Sequence, residues 1–318
     1  MKCLLCLLLC PLLCLAAAWD GREIPAGLPA EEVERAQAAT EAQVELGRRL
    51  FFDPVLSSDR TVACASCHKP DHGFADTEPF STGVAGRLTT RNAPTLYNRV
   101  LGRTFMWDGR AQSLEEQVLL PIANELEMDL SVDEAVARLA ADEAYSLEFE
   151  AAFGGPPTGD RLAAALAGFV RGILKGDSRF DRFRAGERDM LTRAERGGMW
   201  LFESRGGCWR CHSGPNFTDE DFHNTGVGAV DGVSEDGRQG VTGEAEDRGR
   251  FKTPTLRGLL DTAPYMHDGS LATLAEVVEH YRRGGRANGN LDPHVKPIEM
   301  SDEDAANLVA FLEALSGG

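Results

Sequence analysis

Apolar residues recur along this chain at intervals of three and four positions, and no segment sustains an alternation of apolar and polar residues. The first pattern is typical of amphipathic helices and the second of strands, so we predict a mainly α fold. An apolar run over residues 161–174 is predicted as a buried helix, with Asp160 as its N-terminal cap. Five other helix starts carry a hydroxyl residue followed three positions later by an acidic residue, the capping-box pattern. These are Ser113, Ser131, Thr192, Thr273 and Ser301.

The first 18 residues follow a different pattern. Lys2 precedes an apolar run over residues 3–15, and residues 16–18 are all alanine. A positive residue, an apolar core and an A-x-A end are typical of a secretory signal peptide, so we expect cleavage before Trp19 and a periplasmic protein. A lipoprotein signal is disfavoured because none of the cysteines in this segment follows the small residue of a lipobox. No later run is long and apolar enough to span a bilayer, so we expect no membrane span after cleavage.

The motif C-x-x-C-H occurs twice. It is the attachment motif of c-type haem, in which the two thiols form thioethers with the haem and the histidine binds the iron. Four of the 8 cysteines lie in the signal segment, and the two motifs contain all the others. Disulfides or a zinc site also suit cysteine pairs, but because both motifs end in histidine we predict two covalently bound haem c groups. The motif residues are Cys64, Cys67 and His68 in the first copy, and Cys208, Cys211 and His212 in the second.

The segments that follow the two motifs are also similar to each other, in the same order. APTL in the first half matches TPTL in the second, and FMWDG at 105–109 matches YMHDG at 265–269. A repeat of this kind indicates two copies of one structural unit. We therefore predict two tandem cytochrome c-like haem domains related by internal duplication, residues 19–185 and 186–318.

The composition is acidic, with 33 basic and 50 acidic residues and a formal net charge of -17. Nucleic-acid binding needs a basic face, so we expect no nucleic-acid partner. A negative surface steers a positively charged redox partner towards the protein, although the same charge also serves solubility.

The repeat predicts that the two haems differ in their second axial ligand. Pro121 stands 14 positions beyond Trp107 of the first D-G segment, and Tyr281 stands 14 positions beyond His267 of the second. Tyrosine can bind haem iron and proline cannot. We therefore expect an open N-terminal haem and a six-coordinate C-terminal haem that Tyr281 ligates. Core packing is the alternative for Tyr281, which continues the apolar stripe of its predicted helix.

An open haem that reacts with peroxide needs a residue that moves a proton between the two oxygens. Glu125 and Glu127 are the acidic candidates beyond the proline, with Gln117 one turn earlier. An isolated glutamate is more often a solvated surface residue, which is the alternative for both. Trp107 can relay an electron between cofactors, or it can be a packed aromatic. His223 lies in a polar loop, and we expect it to be solvated.

The chain resembles the bacterial di-haem cytochrome c peroxidase family, including its MauG branch. The matching stretches cover most of residues 46–315 and are LGRRLFFDPVLSSD, CASCH, RNAPTLYN, FMWDGRAQSLEEQ, NELEM, CWRCH, FKTPTLRG, APYMHDGSLATL and VVEHYRRGG. The resemblance implies that Trp107 lies between the two haems. It also implies that Gln117 and Glu127 form a pair in the peroxide pocket, with Glu127 as the acid–base residue. Calcium ligands between the domains are implied as well, with oxygens suited to a hard cation: Asn92, Thr262 and Pro264.

Two departures from the family pattern indicate the branch. Val84 stands where peroxidases that require prior reduction carry a distal histidine, and Tyr281 stands where they carry a methionine. Tyr281 belongs to the V-V-x-H-Y-x-x-G-G pattern typical of MauG-like proteins, which favours its ligation of the second haem. The resemblance therefore implies an enzyme that works without prior reduction.

The predicted function is the reduction of hydrogen peroxide at the open N-terminal haem. A small periplasmic electron donor, a cytochrome c or a cupredoxin, supplies electrons through the C-terminal haem. The first alternative is a MauG-like enzyme that uses the oxidised di-haem state to oxidise aromatic residues of a partner protein. The second is a non-catalytic electron-transfer cytochrome, against which Glu127, Gln117 and the missing sixth ligand argue.

Overall fold

The computed structural model describes residues 24–317. The predicted signal peptide, residues 1–18, lies outside this part of the chain. Helices dominate the described residues, whose strands are limited to one antiparallel pair of two-residue strands, β1 (Phe222–His223) and β2 (Phe251–Lys252). The prediction of a mainly α fold is confirmed. None of the described helices is long and apolar enough to cross a membrane.

The helices fall into two groups, one around each C-x-x-C-H motif. The first group is α1 (Ala30–Ala36), α2 (Glu41–Phe52), α3 (Cys64–Cys67), α4 (Leu114–Ala123), α5 (Val132–Ala141), α6 (Glu143–Phe153) and α7 (Gly159–Arg171). The second group is α8 (Arg179–Arg184), α9 (Arg193–Glu203), α10 (Gln239–Thr242), α11 (Leu274–Arg282) and α12 (Asp302–Glu313). Short 3-10 turns lie between them at Pro54–Leu56, Pro70–His72, Val84–Gly86, Arg99–Leu101, Arg188–Met190, Cys208–Arg210, Ala245–Asp247 and Leu259–Asp261.

The helix starts follow the capping pattern of the sequence. A side-chain oxygen accepts a hydrogen bond from the backbone N–H three residues later at Ser113, Ser131, Thr192, Thr273 and Ser301. These five predictions are confirmed. The cap predicted at Asp160 is wrong, because the Thr158 side chain accepts from the Arg161 N–H and α7 begins at Gly159. Asp160 lies in the first turn, where its charge favours the positive end of the helix dipole.

Each motif lies against its own hydrophobic core. The first core comprises buried residues between Leu46 and Ile173, where α2 and α4 both pack on α7. The second comprises buried residues between Phe180 and Leu315, where α9 and α11 both pack on α12. Phe180 and Phe183 precede the expected domain boundary and already belong to the second core. The change from one core to the other therefore falls between residues 173 and 180.

Buried polar contacts join the two halves. The Arg99 guanidinium makes two hydrogen bonds to the Glu220 carboxylate, at 3.0 and 3.2 Å. The Asn98 amide nitrogen donates to Asn216 Oδ1 at 3.0 Å. Removing one partner of a buried ion pair is costly, because the other charge is then left without compensation. These directional contacts hold the two halves in one relative position.

Two adjacent glycines of α9 differ in their surroundings. A Cβ atom at Gly198 would lie 1.9 Å from the backbone oxygen of Asn307 on α12. At Gly197, which is exposed, the nearest atom would be 3.4 Å away, an ordinary contact. The two helices therefore approach each other so closely that position 198 admits only glycine.

Gly198→Ala should lower the free energy of unfolding by about 1–3 kcal/mol, because α9 and α12 must separate to admit the methyl group. Gly197→Ala is the matched control, and it should stabilise the protein by up to about 1 kcal/mol because alanine loses less backbone entropy in a helix. Urea unfolding of the purified protein, followed by circular dichroism, measures both changes. Equal effects of the two substitutions would contradict the close helix approach.

Candidate functional site

A cavity of about 330 Å³ lies beside the first C-x-x-C-H motif. Its wall is built by the loop that follows the motif, by the FMWDG segment, by α4 and by β2 of the second half. The cavity is lined by seven residues that the sequence analysis indicates, namely Cys67, His68, Asn92, Trp107, Gln117, Pro121 and Glu127. The fold thus brings to one place the side chains that we expect to hold and to serve the N-terminal haem.

Each motif histidine is fixed by a backbone carbonyl. His68 Nδ1 lies 3.0 Å from the oxygen of Phe74, and His212 Nδ1 lies 3.0 Å from the oxygen of Phe217. A carbonyl only accepts, so Nδ1 carries the proton and Nε2 keeps the lone pair that binds a metal. Burial lowers the pKa of both imidazoles, which keeps them neutral. Both histidines are therefore in the state that ligates iron.

The residues that supply these carbonyls share an unusual backbone conformation. Phe74 and Phe217 have φ angles of 54° and 51°, in the left-handed region. This conformation costs a bulky residue roughly 1–2 kcal/mol and persists where the surrounding structure requires it. The turn aims each carbonyl oxygen at the histidine, which explains why the same strain occurs after both motifs.

Burial keeps the motif thiols in their neutral form. Burial raises the pKa of Cys64 to about 12 and the pKa of Cys208 to about 11, so both thiols are neutral at pH 7. A thioether to haem leaves the sulfur without charge, as this environment prefers.

The structure distinguishes the two glutamate candidates. Glu127 lines the cavity, and its Oε1 accepts a hydrogen bond of 2.6 Å from Asn124 Nδ2. Glu125 is exposed. Burial raises the pKa of Glu127 above its ordinary value, although the hydrogen bond from Asn124 acts in the opposite direction. A carboxyl whose pKa is raised in this way suits acid–base catalysis. The residue pattern of the sequence does not indicate that Asn124 orients Glu127, because this function depends on a contact that only the folded structure shows.

The loop that contains Val84 packs against Glu127. The Val84 N–H donates to the Glu127 backbone oxygen at 2.9 Å, and the valine side chain is buried in the first core. A Cβ at Gly83 would lie 2.1 Å from the Leu126 carbonyl oxygen, so glycine allows this approach. Val84 offers no iron ligand, and His68 is the single histidine among the described residues that line the cavity.

Trp107 lies where the two halves meet. Its indole N–H donates to the Asn92 carbonyl at 2.9 Å, and its own carbonyl accepts from the Lys252 N–H at 2.8 Å. The ring stands edge to face with His267, with 6.3 Å between the centroids. His267 in turn stacks on Phe251, with 3.7 Å between the centroids. An aromatic ring fixed from both halves is well placed to carry charge between them.

Tyr281 lies against the second motif. It is on α11, whose buried residues are Leu274 and Val278. Burial raises the pKa of Tyr281, and its electrostatic interaction with the thiols of Cys211 and Cys208 raises it further. This interaction places the phenol beside the second haem attachment site. Haem iron at the second motif would act in the opposite direction, since a nearby cation favours the ionised phenol.

Known proteins match this chain over most of its length. The model of the di-haem cytochrome c peroxidase family matches residues 41–189. The methylamine utilization protein MauG of Methylorubrum extorquens is 40% identical over 88% of this chain and 80% of its own. Cytochrome c551 peroxidase of Nitrosomonas europaea is 35% identical over 91% of this chain and 84% of its own. The chain belongs to the di-haem cytochrome c peroxidase family.

As a member of the di-haem peroxidase family, this protein is an oxidoreductase with haem cofactors. The family supports a peroxidase or a MauG-like activity. The crystal structure of a MauG-like protein associated with microbial copper homeostasis superposes with a TM-score of 0.83. That protein is 34% identical, and the match covers 94% of this chain and 96% of the other.

His223 of this di-haem peroxidase is not solvated as we expected. Its Nδ1 lies 2.7 Å from Asp292 Oδ2 and its Nε2 lies 3.0 Å from Asp219 Oδ2. Hydrogen bonds with Asp219 and Cys211 raise the pKa of His223 to about 11, so the ring is charged. Cys211, Asp219 and His223 are close enough to hold a metal, but carboxylates occupy both ring nitrogens and the thiol belongs to the haem motif. The group is a charge cluster beside the second haem site.

Asn92 is the best placed of the three calcium ligands that the resemblance implies. It is buried at the junction of the halves, and its amide nitrogen donates to the Glu78 carbonyl at 3.1 Å. The amide oxygen of Asn92 is then the atom that can bind a cation. Thr262 Oγ1 donates to the Leu259 carbonyl at 3.4 Å, and Pro264 follows two residues later. The calcium site stays a prediction.

Electron paramagnetic resonance of the resting oxidised protein should show one high-spin and one low-spin ferric haem. Tyr281 interacts electrostatically with the second motif, whereas neither Pro121, which lines the first cavity, nor Val84, which packs on Glu127, offers a ligand. Tyr281→Phe should convert the low-spin signal to high spin. Tyr265→Phe is the matched control, since the Tyr265 hydroxyl donates to the Leu259 carbonyl instead, and it should leave both signals unchanged. Two low-spin signals in the unaltered protein would contradict the open first site.

Proposed function

We propose that this protein is a periplasmic di-haem c-type peroxidase that reduces hydrogen peroxide in the cavity of its first half. The observation that carries the proposal is the position of Glu127, a carboxyl with a pKa raised by burial that shares one cavity with His68 and Gln117. A proton-transfer group beside a fixed iron ligand is the combination that peroxide cleavage requires.

The chain offers one set of haem ligands in each half. When bound, the haems supply the iron at which the O–O bond breaks and a second redox centre that stores or passes charge. The first haem would be held by Cys64, Cys67 and His68. The second would be held by Cys208, Cys211 and His212, with Tyr281 as its further iron ligand.

Glu127 moves the proton that the reaction requires. In its ionised form the carboxylate accepts a proton from one oxygen of hydrogen peroxide and delivers it to the other oxygen, which leaves as water. The hydrogen bond of 2.6 Å from Asn124 holds the carboxylate in one orientation. Gln117 contributes an amide to the same cavity, where its Nε2 lies 3.8 Å from the Met106 sulfur. Two electrons and two protons complete the reduction to two water molecules.

The electrons come from a small periplasmic donor, a cytochrome c or a cupredoxin, and they reach the first half through Trp107. The indole N–H donates to the Asn92 carbonyl of the first half, and the backbone carbonyl of Trp107 accepts from the Lys252 N–H of the second. Its position is therefore fixed relative to both haem sites. The net charge of -17 favours the approach of a positively charged donor.

The two halves repeat several local features, which supports internal duplication of one haem-binding unit, with the boundary between residues 173 and 180, where the hydrophobic core changes. A phenylalanine with a left-handed backbone conformation follows each motif. Further along each half, a methionine has the same conformation, with φ of 67° at Met106 and 75° at Met266. Such conformations are rare for side chains of this size, so their repetition at matching positions favours a common origin. A calcium ion at the junction completes the proposal, with Asn92, Thr262 and Pro264 as its ligands.

A MauG-like activity is the second candidate, in which the oxidised di-haem state oxidises aromatic residues of a partner protein. The observation in its favour is Tyr281, whose phenol interacts with the thiols of the second motif. An oxygen ligand favours more oxidised iron than methionine does, because methionine raises the reduction potential. The electrons then come from a partner's side chain, and no small redox protein is needed.

Glu127→Gln should slow the reaction with hydrogen peroxide by about 10²–10⁴-fold, the usual contribution of a positioned acid–base group. Glu125→Gln is the matched control on an exposed side chain and should leave the rate unchanged. In the unaltered protein the rate should rise with pH through the raised pKa of Glu127, because only the ionised form accepts a proton. Stopped-flow absorption measures these rates. Equal rates in the two variants would refute the role of Glu127.

Turnover with hydrogen peroxide and a reduced small cytochrome c separates the two candidate functions. We expect rapid, repeated oxidation of the cytochrome without prior reduction of the enzyme. Trp107→Phe should slow this turnover and leave the initial reaction with peroxide unchanged. Slow turnover, with an oxidised enzyme that persists until a protein substrate is added, would support the MauG-like activity. A protein that does not react with peroxide would overturn both candidates.

A further inference from the structure

Three charged side chains are buried together where the two halves meet. Arg99 makes two hydrogen bonds to Glu220, at 3.0 and 3.2 Å. Lys252 of β2 places its ammonium 3.6 Å from the same carboxylate. All three residues are buried. Two cations and one anion leave this group, which we call the junction cluster, with one positive charge in excess.

Lys252 is the cation of the junction cluster that has no hydrogen-bonded carboxylate. Burial lowers the pKa of Lys252 to about 7, and repulsion from Arg99 acts in the same direction. A buried cation of this kind loses its proton near neutral pH unless an anion lies beside it. The ammonium has three donors, and the Thr104 carbonyl takes one of them at 2.8 Å. The Glu220 oxygen, at 3.6 Å, is beyond hydrogen-bond length.

Thr104 adds an independent observation at the same place. Its carbonyl oxygen accepts from both cations of the junction cluster, from Arg99 Nη2 at 3.2 Å and from Lys252 Nζ at 2.8 Å. Its hydroxyl oxygen is buried and has no hydrogen-bond partner among the described residues. Buried hydroxyls are normally satisfied. A carboxylate that reaches Lys252 from the cavity would accept from the ammonium, and Thr104, whose carbonyl contacts that ammonium, offers an unpaired hydroxyl donor next to it in the chain.

The junction cluster forms part of the wall of the cavity beside the first motif, through Lys252 and Arg99. Two other cations line this cavity, Arg91 and Arg110, but they share the Asp108 carboxylate at 2.7 and 2.8 Å. Arg91 also meets Glu235 at 3.5 Å, so these charges balance. Lys252 is therefore the point on the cavity wall where a negative charge is lacking.

We propose that Lys252, Arg99 and Thr104 form a carboxylate-binding site for a propionate of the haem attached at the first motif. The proposal rests on the proposed function, which assigns a haem to this cavity. Because Lys252 belongs to the second half, the first haem site is complete only when the two halves are docked. The backbone N–H of Lys252 also holds Trp107 at 2.8 Å, so one residue positions both the haem and the aromatic ring between the halves.

Resonance Raman spectroscopy and a spectroelectrochemical titration of the purified di-haem protein test this site. Lys252→Gln should shift the propionate bending bands of the first haem and lower its reduction potential, because losing a nearby positive charge stabilises the ferric state. The second haem should be unaffected. Lys252→Arg keeps the charge and should preserve the potential. Lys175→Gln is the matched control, since Lys175 also bridges the halves, to Asp261 at 3.0 Å, but does not line the cavity.

Unchanged propionate bands and an unchanged potential in Lys252→Gln would overturn the proposal. Equal shifts at both haems, or in Lys175→Gln, would also overturn it, because they indicate a loosened junction. If Lys252→Gln does not accumulate, Thr104→Val removes only the unpaired hydroxyl and should shift the same bands, and an unchanged spectrum refutes the site.

A pyridine haemochrome assay tests the proposed function separately. A chain without haem at the first motif refutes that function, whereas a fully loaded chain with unchanged bands refutes only the carboxylate site.

Discussion

The hydrogen bond between each motif histidine and a backbone carbonyl is the constraint on which both sites depend. His68 and His212 each hold Nδ1 3.0 Å from a carbonyl oxygen, which leaves Nε2 for iron. To place that oxygen, the chain turns back directly after each motif through a left-handed phenylalanine, with φ of 54° and 51°. The histidine thus directs the course of the loop, while the packed helices of each core supply a rigid support behind it.

On this shared framework the two halves offer different surroundings. The first half presents Glu127, whose pKa is raised by burial, beside Pro121 and Val84. The second half presents the phenol of Tyr281 and a charged His223 held between two carboxylates. A cavity with one acid–base group suits a small substrate that must exchange protons. A site with a buried phenol and fixed charges around it suits a centre that exchanges only electrons.

Such a division of roles requires a fixed geometry between the halves, and buried polar contacts supply it. The Arg99–Glu220 pair is directional, so it fixes orientation as well as distance, whereas apolar contacts alone permit sliding. Trp107 is hydrogen-bonded to both sides of this junction, because it donates to the Asn92 carbonyl and accepts from the Lys252 N–H. The same region carries the excess charge of Lys252, so the contacts that join the halves also shape the first cavity.

The sequence by itself determined the features that depend on neighbours along the chain: the helical class, the five capped helix starts, the two C-x-x-C-H motifs and their unequal surroundings. The internal repeat supplied its own alignment, which is why Pro121 and Tyr281 could be paired without any other protein. The family resemblance already selected Glu127 over Glu125, but only the tertiary structure showed that Glu127 lines the cavity whereas Glu125 is exposed. Only the tertiary structure set His223 between its carboxylates and assembled the junction cluster. Partners such as Arg99 and Glu220 lie 121 positions apart. Burial and charge pairing, which set pKa values and reactivity, arise only when folding brings such distant residues together.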